Sequence, residues 1–209
     1  MYKGRLFVIS GPSGAGKGTI CRMLLKEVDA ALSISFTTRE PRQGEVDGVS
    51  YRFISTAEFE KMIEDGGFLE YAKVYENYYG TPKSQVLEKL NEGVDVILEI
   101  DVQGAAQIRK MHPEGIFIYI LPPSMAELMG RIKKRGTETE EAMKLRMSKA
   151  VSEISRIVDY DYYVINKDIA ETVENAKSII AVQRFKVSGD THKLIKKYEE
   201  EIDALSIYK

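Results

Sequence analysis

The sequence predicts an α/β fold in which a parallel sheet flanked by helices carries a small mixed β lobe and a helical lid. Three observations lead to this prediction. Short runs rich in β-branched and aromatic residues alternate with longer segments of helical periodicity, two stretches interrupt that alternation, and no internal repeat or low-complexity tract is present.

Four apolar runs are the predicted strands of the sheet. In the first, residues 5–10, the chain is continuously apolar from Leu6 to Ile9, which is typical of a strand covered on both faces. The other three have the same character and comprise residues 94–100, 115–121 and 162–166. Helical periodicity predicts helices over residues 17–28, 102–111, 124–135, 168–187 and 190–205.

The two interrupting stretches define the lobe and the lid. Residues 34–83 contain short polar-alternating strands, turns marked by proline and glycine, and one small helix opened by the capping pair Ser55 and Glu58. Residues 127–149 hold two helices around Gly136 and are rich in Arg and Lys. We therefore assign one domain, residues 1–187, with core 1–33, 84–126 and 150–187, lobe 34–83 and lid 127–149, followed by a helical tail, 188–209.

Composition narrows the class of protein further. The 209 residues carry 30 Lys and Arg against 32 Asp and Glu, a formal net charge of −2, with 44% hydrophobic residues. Such a chain can bury a core, and its near-neutral charge gives no reason to expect a nucleic acid or an anionic membrane as a partner. The single cysteine, Cys21, excludes an internal disulfide, and no apolar run approaches the roughly 18 residues of a membrane span. We expect a soluble, cytoplasmic protein.

The strongest local signal is a glycine-rich loop between the first predicted strand and the first predicted helix. Glycines permit backbone conformations that turn several N–H groups toward a phosphate, and the helix N-terminus adds a favourable dipole. Lys17 adds a mobile positive charge for the terminal phosphates. Gly18 stands where the general motif has a Ser or Thr for Mg²⁺, which leaves direct hydroxyl ligation of the metal in doubt. The predicted nucleoside triphosphate site comprises Gly11, Pro12, Ser13, Gly14, Ala15, Gly16, Lys17, Gly18 and Thr19.

A second anion site is expected in the lobe. Arg39 and Arg42 are held apart by the stiff Pro41 and can grip a phosphate from two sides, with the hydroxyls of Tyr51 and Tyr79 completing a charge-assisted set. This arrangement suits a phosphate monoester. The plainer alternatives are two surface arginines and two tyrosines that only pack the lobe.

An acid ends the strand that precedes residue 102. The carboxyl ends of parallel strands are where ligands of α/β folds gather, so Asp101 is a candidate for holding Mg²⁺ through water or for contacting a bound base. The alternative is that Asp101 is the N-cap of the following helix, and the two roles are compatible.

The lid carries a cluster of basic side chains. Arg131 and Arg135 are spaced i, i+4 on one predicted helix face, and Arg146 lies on the next helix. Stacked like charges destabilise a bare helix by a few tenths of a kcal/mol, but arginines brought in by a lid stabilise a migrating phosphoryl group. A solvated basic helix is the alternative.

These motifs together resemble the guanylate kinase family, from the first strand to about residue 186. The resemblance rests on the glycine-rich loop and on four further motifs, which are Thr37-Thr38-Arg39-x-Pro41-Arg42-x-Gly44-Glu45, Tyr78-Tyr79-Gly80, Ile100-Asp101-Val102-Gln103-Gly104 and Arg135-Gly136-Thr137-Glu138-Thr139. It implies a P-loop nucleoside monophosphate kinase that uses ATP, GMP and Mg²⁺. The implied guanine contacts are Ser35, Glu70, Thr81 and Asp101, the monophosphate contacts are Arg39, Arg42, Tyr51 and Tyr79, the catalytic residues are Lys17, Arg39, Arg131, Arg135 and Arg146, and Asn166 meets the adenine of ATP.

The chemistry of guanine supports the implied role of Glu70. Guanine presents a ring N–H and an exocyclic amine side by side, and one carboxylate can accept both hydrogen bonds. Adenine has an unprotonated ring nitrogen at that place, and a site built on hydrogen bonds rejects such a base by about 10⁴-fold or more. Taken alone, Glu70 also fits a solvated strand residue.

Two rival functions stay open at this point. One is a kinase for another nucleoside monophosphate, AMP, UMP or dTMP, against which Ser35 and Glu70 argue. The other is a non-catalytic module that binds phosphorylated peptides through the same phosphate site, against which Lys17 and the lid arginines argue. The sequence predicts ATP and GMP as partners, no nucleic acid and no membrane, and it leaves the oligomeric state undetermined.

Overall fold

The computed structural model describes residues 3–74, 76–134, 140–187 and 191–205. The strands, in chain order, are β1 (Leu6–Ser10), β2 (Ala30–Leu32), β3 (Phe36–Thr37), β4 (Arg52–Phe53), β5 (Phe68–Val74), β6 (Asn77–Pro82), β7 (Asp95–Glu99), β8 (Ile116–Leu121) and β9 (Tyr162–Ile165). The helices are α1 (Lys17–Leu24), α2 (Thr56–Glu64), α3 (Lys83–Asn91), α4 (Val102–Met111), α5 (Met125–Lys133), α6 (Glu140–Ile154), α7 (Ile169–Val182) and α8 (Thr191–Ala204).

The larger sheet has five parallel strands in the order β2-β7-β1-β8-β9. Strand β1 lies at its centre, where Val8 is in register with Leu98 on one side and Phe117 on the other. All five residues of β1 are buried, as its continuous apolar run predicts. The parallel sheet flanked by helices is therefore confirmed.

Helices cover both faces of this sheet. Phe7 and Ile9 point into one core cluster, with α1, α7 and the buried Cys21, whereas Val8 and Leu98 point into the other, with α3 and α4. The alternation of side chains along β1 thus supplies both cores. Because every parallel strand ends at the same edge, the segments after β1, β7 and β9 meet there.

The smaller sheet is mixed and forms the lobe. Its order is β4-β3-β6-β5, with β3 parallel to β4 and the other pairs antiparallel. Helix α2 begins with the expected capping box, in which Ser55 and Glu58 exchange hydrogen bonds. The ring of Phe59 stacks on Phe68 and Tyr78, with centroids 4.4 Å and 5.2 Å apart, and these contacts bind α2 to the sheet.

Several element boundaries differ from the sequence predictions. Helix α1 ends at Leu24 instead of residue 28, because Lys26 and Glu27 donate backbone hydrogen bonds to carbonyls three residues back and tighten the last turn. Strand β2 has only three residues, and the sequence predicts no strand there because its place depends on pairing with β7. The described residues include no helix with the length and apolarity needed to cross a bilayer.

Candidate active site

The glycine-rich loop joins β1 to α1 at the carboxyl edge of the large sheet. Gly11, Gly14 and Gly16 have φ values of 145°, 92° and 98°, a region that side chains other than glycine rarely adopt. A Cβ atom on Gly11 would lie 2.2 Å from the carbonyl oxygen of Ile120, so the loop also needs glycine there to pass β8. The loop therefore has the backbone expected of a phosphate cradle.

Lys17 lies at the first position of α1 and folds back over this loop. Its Nζ donates hydrogen bonds to the carbonyl oxygens of Gly11 at 2.7 Å and Pro12 at 3.2 Å. Burial lowers the pKa of the amine, and the carboxylates of Glu99, Glu153 and Asp101 act in the opposite direction. A phosphate bound in the loop would add negative charge beside Lys17 and favour its protonated form.

Glu99 lies beside the loop at the position without a hydroxyl. A Cβ atom on Gly18 would lie 3.2 Å from Oε1 and 3.4 Å from Oε2 of Glu99, so this carboxylate occupies the space next to the missing side chain. Asp101 follows on the same strand end, and its Oδ1 accepts hydrogen bonds from the backbone N–H groups of Gln103 and Gly104 at 2.7 Å and 2.9 Å. Asp101 is thus the N-cap of α4, the alternative that the sequence left open.

This set of donors suits Mg²⁺. Oxygen ligands from one or two carboxylates, together with waters and substrate phosphates, are what Mg²⁺ prefers. Glu99 and Asp101 supply such oxygens within electrostatic range of Lys17. Among the described residues no group of three or more His, Cys, Asp or Glu could hold a metal by itself.

Glu70 and Thr81 form a buried polar pocket between the lobe and the core. Thr81 Oγ1 donates a 2.6 Å hydrogen bond to Glu70 Oε1, and Glu70 is only 5% exposed. Burial raises the pKa of Glu70 to about 7, helped by the charge of Asp101 and opposed by the Thr81 hydrogen bond. A Cβ atom on Gly104 would lie 2.3 Å from Glu70 Oε2, so the first turn of α4 closes this pocket. Glu70 is therefore buried, and the alternative that it is a solvated strand residue is wrong.

Arg39 is held by a cluster of lobe side chains. Its guanidinium donates to Tyr79 Oη at 3.2 Å and to both carboxylate oxygens of Glu45 at 2.9 Å, and lies over the ring of Tyr51 at 5.6 Å. The rings of Tyr51 and Tyr79 make an edge contact at 5.9 Å. Burial raises the pKa of Tyr51 to about 12, so its hydroxyl keeps its proton at neutral pH.

The two remaining lobe candidates lie at the edges of this cluster. Arg42 is exposed, and its backbone N–H donates to Glu45 Oε2 at 2.8 Å. Ser35 precedes β3, and its carbonyl oxygen accepts a hydrogen bond from the Arg52 N–H at 2.9 Å. Arg42 thus shares Glu45 with Arg39, and a phosphate contact for Arg42 or a base contact for Ser35 stays a prediction.

Arg131 and Asn166 pack against the glycine-rich loop from the lid and from the end of β9. Arg131 donates to the carbonyl oxygens of Ala15 at 3.3 Å and Asn166 at 3.0 Å, and Asn166 Nδ2 donates to Ala15 at 2.7 Å. A Cβ atom on Gly16 would lie 2.5 Å from Nδ2 of Asn166, so this amide also requires glycine at that position. Of the other lid arginines, Arg146 lies partly exposed on α6, and Arg135 lies outside the described residues.

Glu153 is a site residue that the sequence did not indicate. This α6 carboxylate accepts a hydrogen bond from the Ser13 N–H of the glycine-rich loop and is within electrostatic range of Lys17, while burial raises its pKa. Tyr119 Oη donates to the Glu153 carbonyl oxygen at 2.8 Å and fixes this part of α6 on the sheet. Glu153 follows Ser13 by 140 residues, so no local pattern could have found it.

A phosphate cradle at one edge of a parallel sheet faces an inserted lobe with an arginine–tyrosine cluster and a buried carboxylate. This combination defines a P-loop kinase that acts on a small phosphorylated acceptor. The sequence matches the guanylate kinase family over residues 3–183, so the chain belongs to that family.

Individual relatives agree with this assignment. The chain is 55% identical to the guanylate kinase of Clostridioides difficile (strain 630), over 96% of this chain and 98% of that one. It is 54% identical to the guanylate kinase of Caldanaerobacter subterraneus subsp. tengcongensis, with the same coverage of both. The crystal structure of the guanylate kinase from Anaplasma phagocytophilum superposes with a TM-score of 0.79 at 32% identity, covering 93% of this chain and 95% of that one.

Proposed function

We propose that this chain transfers the γ-phosphate of ATP to GMP in a single in-line step, giving ADP and GDP. The observation that carries the proposal is the buried Glu70 carboxylate, bonded to Thr81 on the lobe and closed by Gly104 of the core, beside the arginine–tyrosine cluster. Family membership gives the same activity. The phosphopeptide-binding alternative has no such support.

The acceptor phosphate binds at Arg39 and Arg42, with the protonated hydroxyls of Tyr51 and Tyr79 as further donors. In the structure the carboxylate of Glu45 forms an ion pair with the guanidinium of Arg39. The side chain of Arg39 is only 13% exposed and that of Glu45 only 21%. Together with the hydrogen bond to Tyr79, this ion pair fixes the position of the Arg39 guanidinium. Four of the five N–H donors of Arg39 are already engaged by Tyr79, Glu40 and Glu45, so an arriving phosphate has to compete with Glu45 for the Nη2 N–H groups.

Phosphoryl transfer needs no protein nucleophile, because the GMP phosphate oxygen attacks phosphorus directly. Lys17 and the loop N–H groups hold the β- and γ-phosphates, and Arg131, Arg135 and Arg146 of the lid neutralise charge on the migrating group. Asn166 borders the adenine of ATP. Closure of lobe and lid excludes water, which would otherwise compete as the acceptor.

Glu99 and Asp101 are the residues that would hold Mg²⁺, Asp101 through water. When bound, the ion neutralises phosphate charge and helps to align the triphosphate. Glu99 lies where the loop lacks a hydroxyl, so it is the nearer of the two to Gly18.

Glu70 selects the base. As a carboxylate it accepts the ring N–H and the exocyclic amine of guanine together, with Thr81 and Ser35 as neighbours. The 2′-hydroxyl is not part of this pattern, so dGMP is expected as a weaker second acceptor. These substrates place the chain in purine nucleotide metabolism, with no nucleic acid or membrane as a partner. A free, buried Cys21 is consistent with the reducing conditions of the cytoplasm.

A coupled ADP-release assay with ATP, Mg²⁺ and separately GMP, dGMP, AMP, UMP and dTMP tests this proposal. We expect turnover with GMP and less with dGMP, and about 10⁴-fold lower kcat/KM with AMP. Comparable turnover with AMP, UMP or dTMP would show that Glu70 does not select the base. Absence of turnover from folded protein, with binding of a phosphorylated peptide, would reverse the proposal in favour of a binding module.

A further inference from the structure

The side chain of Asn166 is turned into the protein just after β9. Only 5% of the residue is exposed, and its Nδ2 donates a 2.7 Å hydrogen bond to the carbonyl oxygen of Ala15 in the glycine-rich loop. Its Oδ1 lies 3.4 Å from the hydroxyl of Thr172 on α7. Both ends of the amide therefore face protein groups, and little of the side chain is left to meet a base.

The backbone of Asn166 is fixed on the large sheet. Its N–H donates to the carbonyl oxygen of Leu121, the last residue of β8, at 2.8 Å. Its own carbonyl oxygen accepts a 3.0 Å hydrogen bond from Arg131, and Thr172, which is 1% exposed, lies against the amide. The amide thus reaches the loop from a support that the sheet and α7 hold in place, as a group that positions a site requires.

The hydrogen bond to Ala15 fixes the direction of a loop N–H. The peptide bond between Ala15 and Gly16 is trans, and in a planar trans peptide the C=O of one residue and the N–H of the next point in opposite directions. Because Asn166 and Arg131 hold the Ala15 carbonyl on their side, the N–H of Gly16 points to the other side of the loop. Gly16 directly precedes Lys17, so this N–H is one of those expected to hold phosphate.

Gly16 itself leaves room for the amide. It has a φ of 98°, and the space that its Cβ atom would fill is taken by Nδ2 of Asn166. The amide thus lies against two consecutive residues of the loop, Ala15 and Gly16. A phosphate chain that binds there meets donors already in position, and such donors need no reorganisation during the reaction.

We propose that Asn166 is a positioning residue for phosphoryl transfer, whose side-chain amide acts on the triphosphate through the glycine-rich loop and not through the adenine. The family resemblance assigns Asn166 to the adenine, but the contacts of its amide are with the loop and with Thr172. The inference rests on the proposed transfer from ATP to GMP. Without the amide the Ala15–Gly16 peptide can turn, and the loop then holds any triphosphate less well, whatever its base.

A ligand without a base separates the two roles. Asn166→Ala removes the amide and leaves the carbonyl oxygen that Arg131 contacts, and Asn91→Ala, the matched control, removes an exposed amide at the end of α3. We expect Asn166→Ala to raise the KM for ATP about tenfold and to lower kcat, with the KM for GMP unchanged. The KI of inorganic tripolyphosphate, measured in competition with ATP at saturating GMP, should rise by the same factor. Asn91→Ala should match wild type throughout.

Three results would overturn the proposal while leaving the proposed function intact. An unchanged KI for tripolyphosphate beside a raised KM for ATP would show that Asn166 binds the adenine. Wild-type kinetics from Asn166→Ala with only a lower melting temperature would show a purely structural role. No inhibition of the wild type by tripolyphosphate would show that the loop does not hold a phosphate chain without a base.

The wild type is also the control for the reaction itself. If folded wild type transferred no phosphate from ATP to GMP, the proposed function would fail, and this inference with it. Should Asn166→Ala not fold, Asn166→Ser repeats the test, because its hydroxyl is too short to reach Ala15 and its polarity lets water fill the space.

Discussion

Burial brings the pKa of Glu70 into the neutral range. With a pKa of about 7 the side chain changes its protonation near neutral pH, and in the role proposed for it only the ionised carboxylate would accept both guanine N–H groups. We expect KM for GMP to rise as pH falls below 7, approaching tenfold per pH unit, because protonation removes the binding form. Initial rates at varied GMP from pH 6 to 8 measure this.

Glu70→Gln is the control for that profile. It should bind GMP weakly at every pH and lose the rise that Glu70 causes, leaving only the titration of GMP itself. A raised pKa also means that the contribution of Glu70 to stability is present below its ordinary value near 4.5 and is lost as pH rises through about 7. Glu70→Gln should therefore have the higher melting temperature at pH 8, and a lower one there would contradict the assigned pKa.

The proposed mechanism depends most directly on Lys17. Lys17→Ala removes the charge that faces the terminal phosphates, and we expect kcat to fall by about 10²–10³. Lys26→Ala, an exposed lysine just after the same helix, is the matched control and should retain activity. Near-normal turnover of Lys17→Ala in the ADP-release assay would refute the role of the loop in catalysis.

At the scale of single elements, the first turn of α4 packs against the carboxylate of Glu70 and limits where it can lie. Gly104→Ala would put a methyl group 2.3 Å from Glu70 Oε2, and the carboxylate has to move. We expect KM for GMP to rise by about 10-fold to 100-fold, since a displacement near 1 Å has effects of that order, with little change in KM for ATP.

Gly130→Ala is the matched change in another helix. A Cβ atom on Gly130 meets nothing within 4 Å, so this substitution should leave KM for GMP unchanged and stabilise α5 by about 1 kcal/mol. The two variants are compared by steady-state kinetics and urea unfolding. Equal KM values for GMP in Gly104→Ala and wild type would show that α4 does not constrain Glu70.

At the scale of the whole molecule, Arg109 links α4 to the connection before β9. It makes a two-pronged ion pair with Asp161 at 3.2 Å and 3.1 Å, and its guanidinium lies 3.7 Å from the centre of the Phe117 ring. Lysine can neither stack flat nor reach both oxygens, so Arg109→Lys should lower the free energy of unfolding by about 1–2 kcal/mol.

Arg52→Lys is the comparison, because the Arg52–Asp47 pair is about half exposed on both sides and such pairs contribute about 0–1 kcal/mol. Urea unfolding of both variants gives the difference. If the two lost the same stability, the stacking of Arg109 on Phe117 would contribute nothing to holding α4 in place.

The sequence by itself determined the fold class, the family and the place of the phosphate loop, because each depends on contiguous residues. Strand β1, the loop and α1 follow one another directly, and the continuous apolar run of β1 already indicates a strand buried on both faces. The capping box formed by Ser55 and Glu58 could also be predicted from the sequence, since both partners lie within one helical turn.

Only the tertiary structure decided what the scattered residues do. The burial of Glu70 depends on α4, more than 30 residues later in the chain, and Glu153 meets the Ser13 N–H in a part of α6 that Tyr119 of the sheet holds in place. Asp101 was ambiguous for the same reason: its cap is local, but its charge acts on Glu70 and Lys17 through space. Long-range packing sets desolvation and distance, and these, not residue type, distinguish the buried Glu70, which we propose binds the base, from the other carboxylates of the chain.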